Sequence, residues 1–305
     1  MLIMSKLAPP LQTAENQSNG NEKLIFHIGH SAGFYSELNN MVLAILYCRR
    51  HNIEFQIYSK DANFGQGNGW NDFFLPFCKE TTWFGHHYIN QRYTNPIGGK
   101  RKLLMDIYKK THPNTYLTPD LWPMFRHIDD QELTTHEVML LAKPIVDEIY
   151  RFNSKTQSEI NALMQQIKID KPYIGFHIRG GDKTEEHDIL SVEQYISLAE
   201  KHSATRTAFV YSDDYKFITL LKQKYPNWDF FTLTSEDEHG YFHQKFLKQS
   251  VSEKRKNLLK MFASMEYLSQ AEYTFCTYSS NPGMFLGMRM GERAIGVDFD
   301  TWRIW

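Results

Sequence analysis

The residues best equipped for chemistry sit together in Tyr173-Ile-Gly-Phe-His-Ile-Arg-Gly-Gly-Asp-Lys183. Arg179 offers a planar fork of donors and Lys183 a mobile point charge, both suited to a phosphate. His177 and Asp182 stand beside them, and Gly180-Gly181 lets the backbone turn and approach a ligand with no side chain in the way. A glycine turn carrying a surface Arg–Asp salt bridge would account for the same residues without any ligand. The surroundings have to decide between the two, because a short glycine pattern recurs by chance.

Those surroundings are strands and helices. The apolar run Tyr173 to Ile178 reads as a buried strand ending at the glycines. Further strands are expected at Thr207–Tyr211, Trp228–Thr232, Tyr273–Thr277 and Arg293–Val297. Helices separate them: one opened by the capping box Ser191-Val-Glu-Gln194, one from Tyr215 to Lys224, one from about Glu253 to Ala271, and one starting after Ser280. Such alternation builds a parallel sheet, and its strands deliver their carboxyl ends to one edge, where ligands bind in open α/β folds. His177 to Lys183, Tyr211-Ser-Asp-Asp214 and Thr277-Tyr-Ser-Ser280 therefore converge. The set fits a nucleoside diphosphate, with Arg179 and Lys183 for charge, Ser279, Ser280 and a helix amino terminus for phosphate oxygens, and Asp213 or Asp214 for a base or ribose edge.

The N-terminal half begins with a second such unit: strand Leu24–Ile28, the turn Gly29-His-Ser-Ala-Gly33, a helix from near Glu37 to Arg50, and strand Glu54–Tyr58. The turn at Gly33 could cradle a phosphate or serve only the chain reversal. Residues 60–135 are rich in aromatics, which could line a sugar-binding groove; a loop-rich segment packing its own small core is the simpler expectation. A helix is expected from Glu137 to Phe152, with Leu140, Leu141, Ile145 and Ile149 inward and Pro144 dividing it. The expected organisation is a disordered tail over 1–22, a Rossmann-like domain over 23–168 and a second one over 169–305.

Charge and composition exclude several classes. A formal net charge of -1 over 305 residues gives no global attraction to nucleic acid, and Lys254-Arg-Lys256 reads as a solvated helix start. The 3 cysteines are scattered, without disulfide or metal-ligand spacing, which suits a reducing compartment. His86-His87 and the other histidines show no ligand spacing either, so no metal is expected. No apolar run is long enough for an integral membrane segment and no signal peptide is evident, so a cytoplasmic protein is expected, with contact to a membrane from the side left open. A phosphate-binding GxxxxGK[ST] loop is absent after the first strand.

His177-Ile-Arg-Gly-Gly-Asp-Lys183, Ser212-Asp-Asp214, and Leu268-Ser-Gln-Ala271 running into Cys276-Thr-Tyr-Ser-Ser280 resemble, in order and spacing, three donor-site motifs. They are those of the α1,6-fucosyltransferases and their nodulation-type, α1,2- and protein O-fucosyltransferase relatives. Gly33-Phe34 to Asn39-Asn40 is more weakly similar to the glycine turn of the protein O-fucosyltransferases. The resemblance implies an α/β protein of GT-B type, two Rossmann-like domains facing each other across a cleft. It also implies an inverting, metal-independent glycosyltransferase with no cofactor beyond its co-substrate. GDP-fucose would be the donor and a glycan or glycoconjugate hydroxyl the acceptor.

Carried over to matching positions, Arg179 grips the β-phosphate, His177 and Asp182 shape the loop, Asp213 or Asp214 lies near guanosine, and Ser279 and Ser280 contact the diphosphate. Glu185 or Glu186 takes the acceptor proton. Two positions depart from the pattern: Gly180 stands where the family has a second arginine, and Ser264 where α1,6 enzymes have an acid. They leave linkage and acceptor open, and keep two alternatives: a related transferase using another nucleotide sugar, and a non-catalytic nucleotide- or glycan-binding protein on the same scaffold.

Overall fold

The computed structural model describes residues 22–29, 32–92, 98–170, 172–181 and 190–304. Strand β1 (Lys23–His27) leads into helix α1 (Phe34–Arg50) and β2 (Glu54–Tyr58). After a 3-10 turn at Gly69–Asp72 come β3 (Lys79–Glu80), α2 (His86–Ile89), α3 (Gly99–Thr111) and β4 (Thr115–Leu117). Helices α4 (Thr118–Arg126), α5 (Ile128–Gln131), α6 (Thr135–Ile149) and α7 (Ser154–Met164) follow. The second sheet opens with β5 (Ile174–Ile178), then α8 (Val192–His202), β6 (Thr207–Ser212), α9 (Lys216–Lys224) and β7 (Asp229–Phe231). It closes with α10 (His243–Leu247), α11 (Val251–Gln270), β8 (Thr274–Cys276), α12 (Asn281–Met290) and β9 (Ala294–Gly296).

Both sheets are parallel throughout, in the orders β3-β2-β1-β4 and β7-β6-β5-β8-β9. In each, the order reverses beside the first strand, between β1 and β4 and between β5 and β8. Connections on the two sides of such a point leave on opposite faces, so a crevice opens at the carboxyl ends there. β5 is buried at every position, as a central strand covered by helices on both faces must be.

The largest core spans both sheets, and a second one lies between the second sheet and α8 and α9. A single cluster of buried apolar side chains runs from Leu24 in β1 through α1 and Phe262 of α11 to Trp302. Phe34 at the start of α1 stacks on Phe74 at 5.5 Å and meets Phe262 edge-on at 5.0 Å. Phe262 also packs against Phe73 and Phe152. Residues 60–135 are divided: Ile89, Met105 and Leu117 with Tyr108 form a small core of their own, while Trp70, Phe73 and Phe74 are buried in the seam between the halves. The local sequence shows many aromatics but not their distant partners.

Several expected elements are corrected. α1 starts at Phe34, not near Glu37, because Gly33 is its cap and its carbonyl accepts from Glu37 N at 3.1 Å. Glu37 is therefore buried in the first turn, where the positive end of the helix favours a carboxylate. α6 runs unbroken through Pro144. The missing proline N–H would have paired with the carbonyl of Leu140, and Leu140 is 55% exposed, so water can serve instead. Leu140 accordingly points outward. α3 and β4 were not anticipated.

Of Lys254-Arg-Lys256, near the start of α11, Lys256 is exposed but Arg255 is not solvated. Arg255 pairs with Glu159, donates to Gln66 Oε1 at 3.1 Å and to the Asp72 carbonyl at 3.2 Å, and lies over the Phe73 ring. It ties α11 to the other half. Cys48 and Cys276 are buried and Cys78 half-buried, and all are free thiols. Among the described residues no helix is long and apolar enough to cross a membrane.

Candidate active site at the switch point of the second sheet

Parallel pairing of β5 with β6 sets His177 beside Tyr211 and Ile178 beside Ser212, so the next residues, Arg179 and Asp213, emerge level at the edge. Arg179 Nη1 donates to Asp213 Oδ2, which also accepts from Tyr241 N at 2.9 Å. Asp213 Oδ1 accepts from Gly180 N at 2.7 Å. The two side chains are only 12% and 11% exposed, so the pair is not a solvated one. The Tyr241 ring lies 5.3 Å from the Arg179 guanidinium carbon, a cation–π contact that fixes the fork from one side.

Glycines make this possible. Gly181 has φ of 59°, and a Cβ there would lie 2.5 Å from the Tyr241 carbonyl oxygen. Gly240, at φ 98°, would push a Cβ to 2.7 Å from Gly181 Cα. Two loops thus meet backbone to backbone beneath Arg179. At Gly180 a Cβ would stand 3.0 Å from Phe217 and 3.4 Å from Asp213 Oδ1. Ser264, the other departure, is buried inside α11 and donates to its own helix at the Lys260 carbonyl, 2.9 Å away.

Asp213 and Asp214, read from sequence as partners for a base or ribose, both have structural work. Asp213 holds the arginine and two backbone amides; Asp214 accepts from Lys216 N at 3.0 Å and pairs with its ammonium at 2.9 Å at the start of α9. His177 is buried, and burial, reinforced by the Arg179 charge, pushes it down to about 3, so it stays neutral. Its carbonyl accepts from Tyr195 Oη at 3.2 Å and from Thr277 Oγ1 and N, each at 3.3 Å, tying β5 to β8 across the switch point.

Ser280 caps α12, its Oγ accepting from Gly283 N at 3.2 Å and donating to the Thr277 carbonyl at 2.8 Å. Ser279 N donates to Asp298 Oδ2 at 2.8 Å and Tyr278 N to Oδ1 at 2.7 Å, so Asp298 shapes this loop. From the other sheet, Gly33 reaches the same place: its Cβ would be 3.8 Å from Tyr241 Oη. Asn39 Nδ2 also donates to the Asn281 carbonyl at 2.9 Å. The structure therefore brings together His177, Arg179, Asp213, Asp214, Ser279, Ser280 and Gly33. Asp182, Lys183, Glu185 and Glu186 lie outside the described residues.

Sequence reasoning missed Tyr241 and Asp298. Gly240 before an aromatic, in an otherwise polar stretch, was the available signal for the first. A second polar array was also missed, at the carboxyl edge of the first sheet. Asp61 joins His27 Nε2 at 2.8 Å and His87 Nδ1 at 2.5 Å. Burial works to raise the Asp61 carboxyl, but the two imidazoles hold it below the usual range. Nearby, Glu37 takes Arg92 in a buried bidentate pair at 2.6 and 2.7 Å. Among the described residues no cluster of three or more His, Cys, Asp or Glu side chains could hold a metal ion.

Two parallel sheets whose ligand edges are joined by contacts between their loops define a glycosyltransferase fold of the GT-B class. Solved structures of that class match over most of the chain. A FUT1 variant from Arabidopsis thaliana in complex with GDP matches with a TM-score of 0.54 and 11% identity, covering 94% of this chain and 72% of that one. The NodZ α-1,6-fucosyltransferase soaked with GDP-fucose gives 0.52 and 14%, covering 88% and 92%. The family model for α-(1,6)-fucosyltransferase N- and catalytic domains matches residues 3–283, and the chain belongs to that family. An α-(1,6)-fucosyltransferase of Caenorhabditis elegans is 25% identical over 160 residues. That alignment takes in 48% of this chain and 27% of the worm protein, so the chain spans about a quarter of that relative's length.

Proposed function

We propose that the protein transfers fucose from GDP-fucose to a hydroxyl of a glycan or glycoconjugate, with inversion at the anomeric carbon and without a metal. The observation that carries this reading is Arg179, held at the carboxyl end of β5 by Asp213 and Tyr241 at a switch point of a Rossmann-ordered sheet. In glycosyl transfer the bond from the sugar's anomeric carbon to the β-phosphate oxygen breaks, and negative charge grows on the departing GDP. A prearranged guanidinium aimed at that phosphate stabilises the change without reorganising.

Lys183 adds charge, and Ser279, next to the amino terminus of α12, receives the diphosphate. His177, Asp213, Asp214, Ser280 and Asp182 keep the loops in place, while the guanosine rests near the Asp213–Asp214 turn. The acceptor oxygen attacks from the opposite face, and its proton passes to Glu185 or Glu186. Gly33 closes the site from the first sheet, on the acceptor side. The 3 free cysteines agree with a cytoplasmic setting.

Thermal unfolding with GDP, UDP, ADP and CMP sugars tests the donor. A ligand at a hundred times its Kd stabilises by about 2.7 kcal/mol. GDP and GDP-fucose are expected to stabilise selectively, and Arg179→Ala to cut release of GDP from GDP-fucose by about 100- to 1000-fold. Indifference to every guanosine compound would sink the donor assignment, and unaltered turnover in Arg179→Ala would sink the role of the arginine.

A further inference from the structure

Helix α3 buries one face and leaves an unusual other. Arg101, Met105 and Tyr108 turn inward, Met105 packing with Ile89 and Leu117 beside the edge strand β4. The opposite face carries Leu103, Leu104 and Ile107, which are 60%, 47% and 50% exposed. Their spacing is one helical stripe, with Lys100 a turn before and Lys110 a turn after, both exposed. A solvent face would ordinarily be polar at these positions. Trp83, 51% exposed, adjoins the helix by stacking on Tyr108 at 5.1 Å.

The charge is one-sided. α3 holds Lys100, Arg101, Lys102, Lys109 and Lys110 against the single acid Asp106, in a chain whose formal net charge is -1. Lys109 is engaged by Asp120 of α4, and the other three lysines reach solvent. We infer that this face of α3 is a docking surface for an anionic membrane, the helix lying in the plane of the bilayer. Leu103, Leu104 and Ile107 enter the acyl boundary, Trp83 sits at headgroup depth, and the lysines meet lipid phosphates.

A second copy of the chain is the poorer occupant. A two-fold contact centred on this stripe would set the lysines at its ends, Lys100 and Lys110, against lysines of the other copy. The location suits an acceptor presented from a lipid surface, since α2, against which α3 packs, carries His87 and so reaches the Asp61 array at the ligand edge of the first sheet. The membrane contact itself does not depend on which sugar is transferred.

Flotation of the full chain with vesicles tests it. Vesicles of phosphatidylcholine doped with phosphatidylglycerol are expected to carry the protein at low salt, and pure phosphatidylcholine to carry little. The double variant Leu104→Glu/Ile107→Glu should lose vesicle binding at least tenfold, with its melting temperature unchanged because both side chains are exposed. Lys100→Glu/Lys110→Glu should lose about tenfold or more on anionic vesicles, since each basic residue near the surface contributes comparably. Failure of the native chain to float with anionic vesicles overturns the inference, as does equal binding by native chain and both variants. A native dimer in sedimentation that Leu104→Glu/Ile107→Glu converts to monomer would assign the face to a second copy and overturn it equally.

Discussion

Arg179 is held in part by the Asp213 carboxylate, and that dependence can be measured. Asp213 neutralises it and also receives Gly180 N and Tyr241 N, so a single side chain fixes the guanidinium and both loops. Asp213→Asn keeps an acceptor oxygen but removes the negative charge that faces a nearly buried arginine. Breaking such a pair costs about 3 kcal/mol, to be read from urea denaturation. Saturating GDP should narrow the deficit, because the diphosphate supplies the missing negative charge. An equal deficit with and without GDP would show that Arg179 does not meet the ligand.

His177 and His86 add a pH dependence. Burial depresses both, His177 to about 3 with help from Arg179 and His86 to about 4, where His27 and His112 contribute. Both pKa values fall on folding, so below about 6.5, the ordinary imidazole value, the unfolded chain binds more protons. Their contribution to stability is complete above that pH and declines as pH falls toward 4, by about 1.4 kcal/mol per unit for each histidine. Denaturation at pH 7 and pH 5 checks this, and His86→Phe, in its cage of Tyr58, Trp83 and Tyr108, should flatten the slope by one such share.

The loop after β5 and the loop before α10 work as one device because glycines let them touch. Gly181→Ala must strain a positive φ and displace the Tyr241 backbone, whose carbonyl oxygen would lie 2.5 Å from the new methyl. Positions of this kind cost of order 1–3 kcal/mol when forced. The expected outcome is a modest fall in stability with a large fall in GDP stabilisation, since the displaced Tyr241 no longer braces Arg179. A variant with intact GDP stabilisation would detach Tyr241 from the site. The resemblance to known motifs pointed to the first of these loops, while Gly240 before Tyr241 was the one local sign of the second.

The two sheets are welded rather than hinged on a thin linker. α1 is buried almost all round, by α4 and α6 on its own side and by α12 of the other sheet. Phe262 reaches from α11 into the aromatic seam. One calorimetric unfolding transition is expected, with calorimetric and van't Hoff enthalpies equal. Phe262→Ala should lower stability by about 3–5 kcal/mol while keeping a single transition. Two separated transitions would mean that the seam does not couple the halves.

Strand–helix alternation, the capping box at Ser191, the glycine breaks and the parallel edge on which Arg179, Asp213 and Ser279 converge could all be read from residues close together in the chain. They follow from periodicity, backbone freedom and capping, which act over a few residues. The partner of Arg179, the aromatic support of Tyr241, the tie from Arg255 to Glu159, the burial of Trp70 and Phe74 and the exposed apolar stripe of α3 could not. Each depends on which segments, far apart in sequence, are pressed together. Packing satisfies or strands a side chain through neighbours that local pattern does not encode.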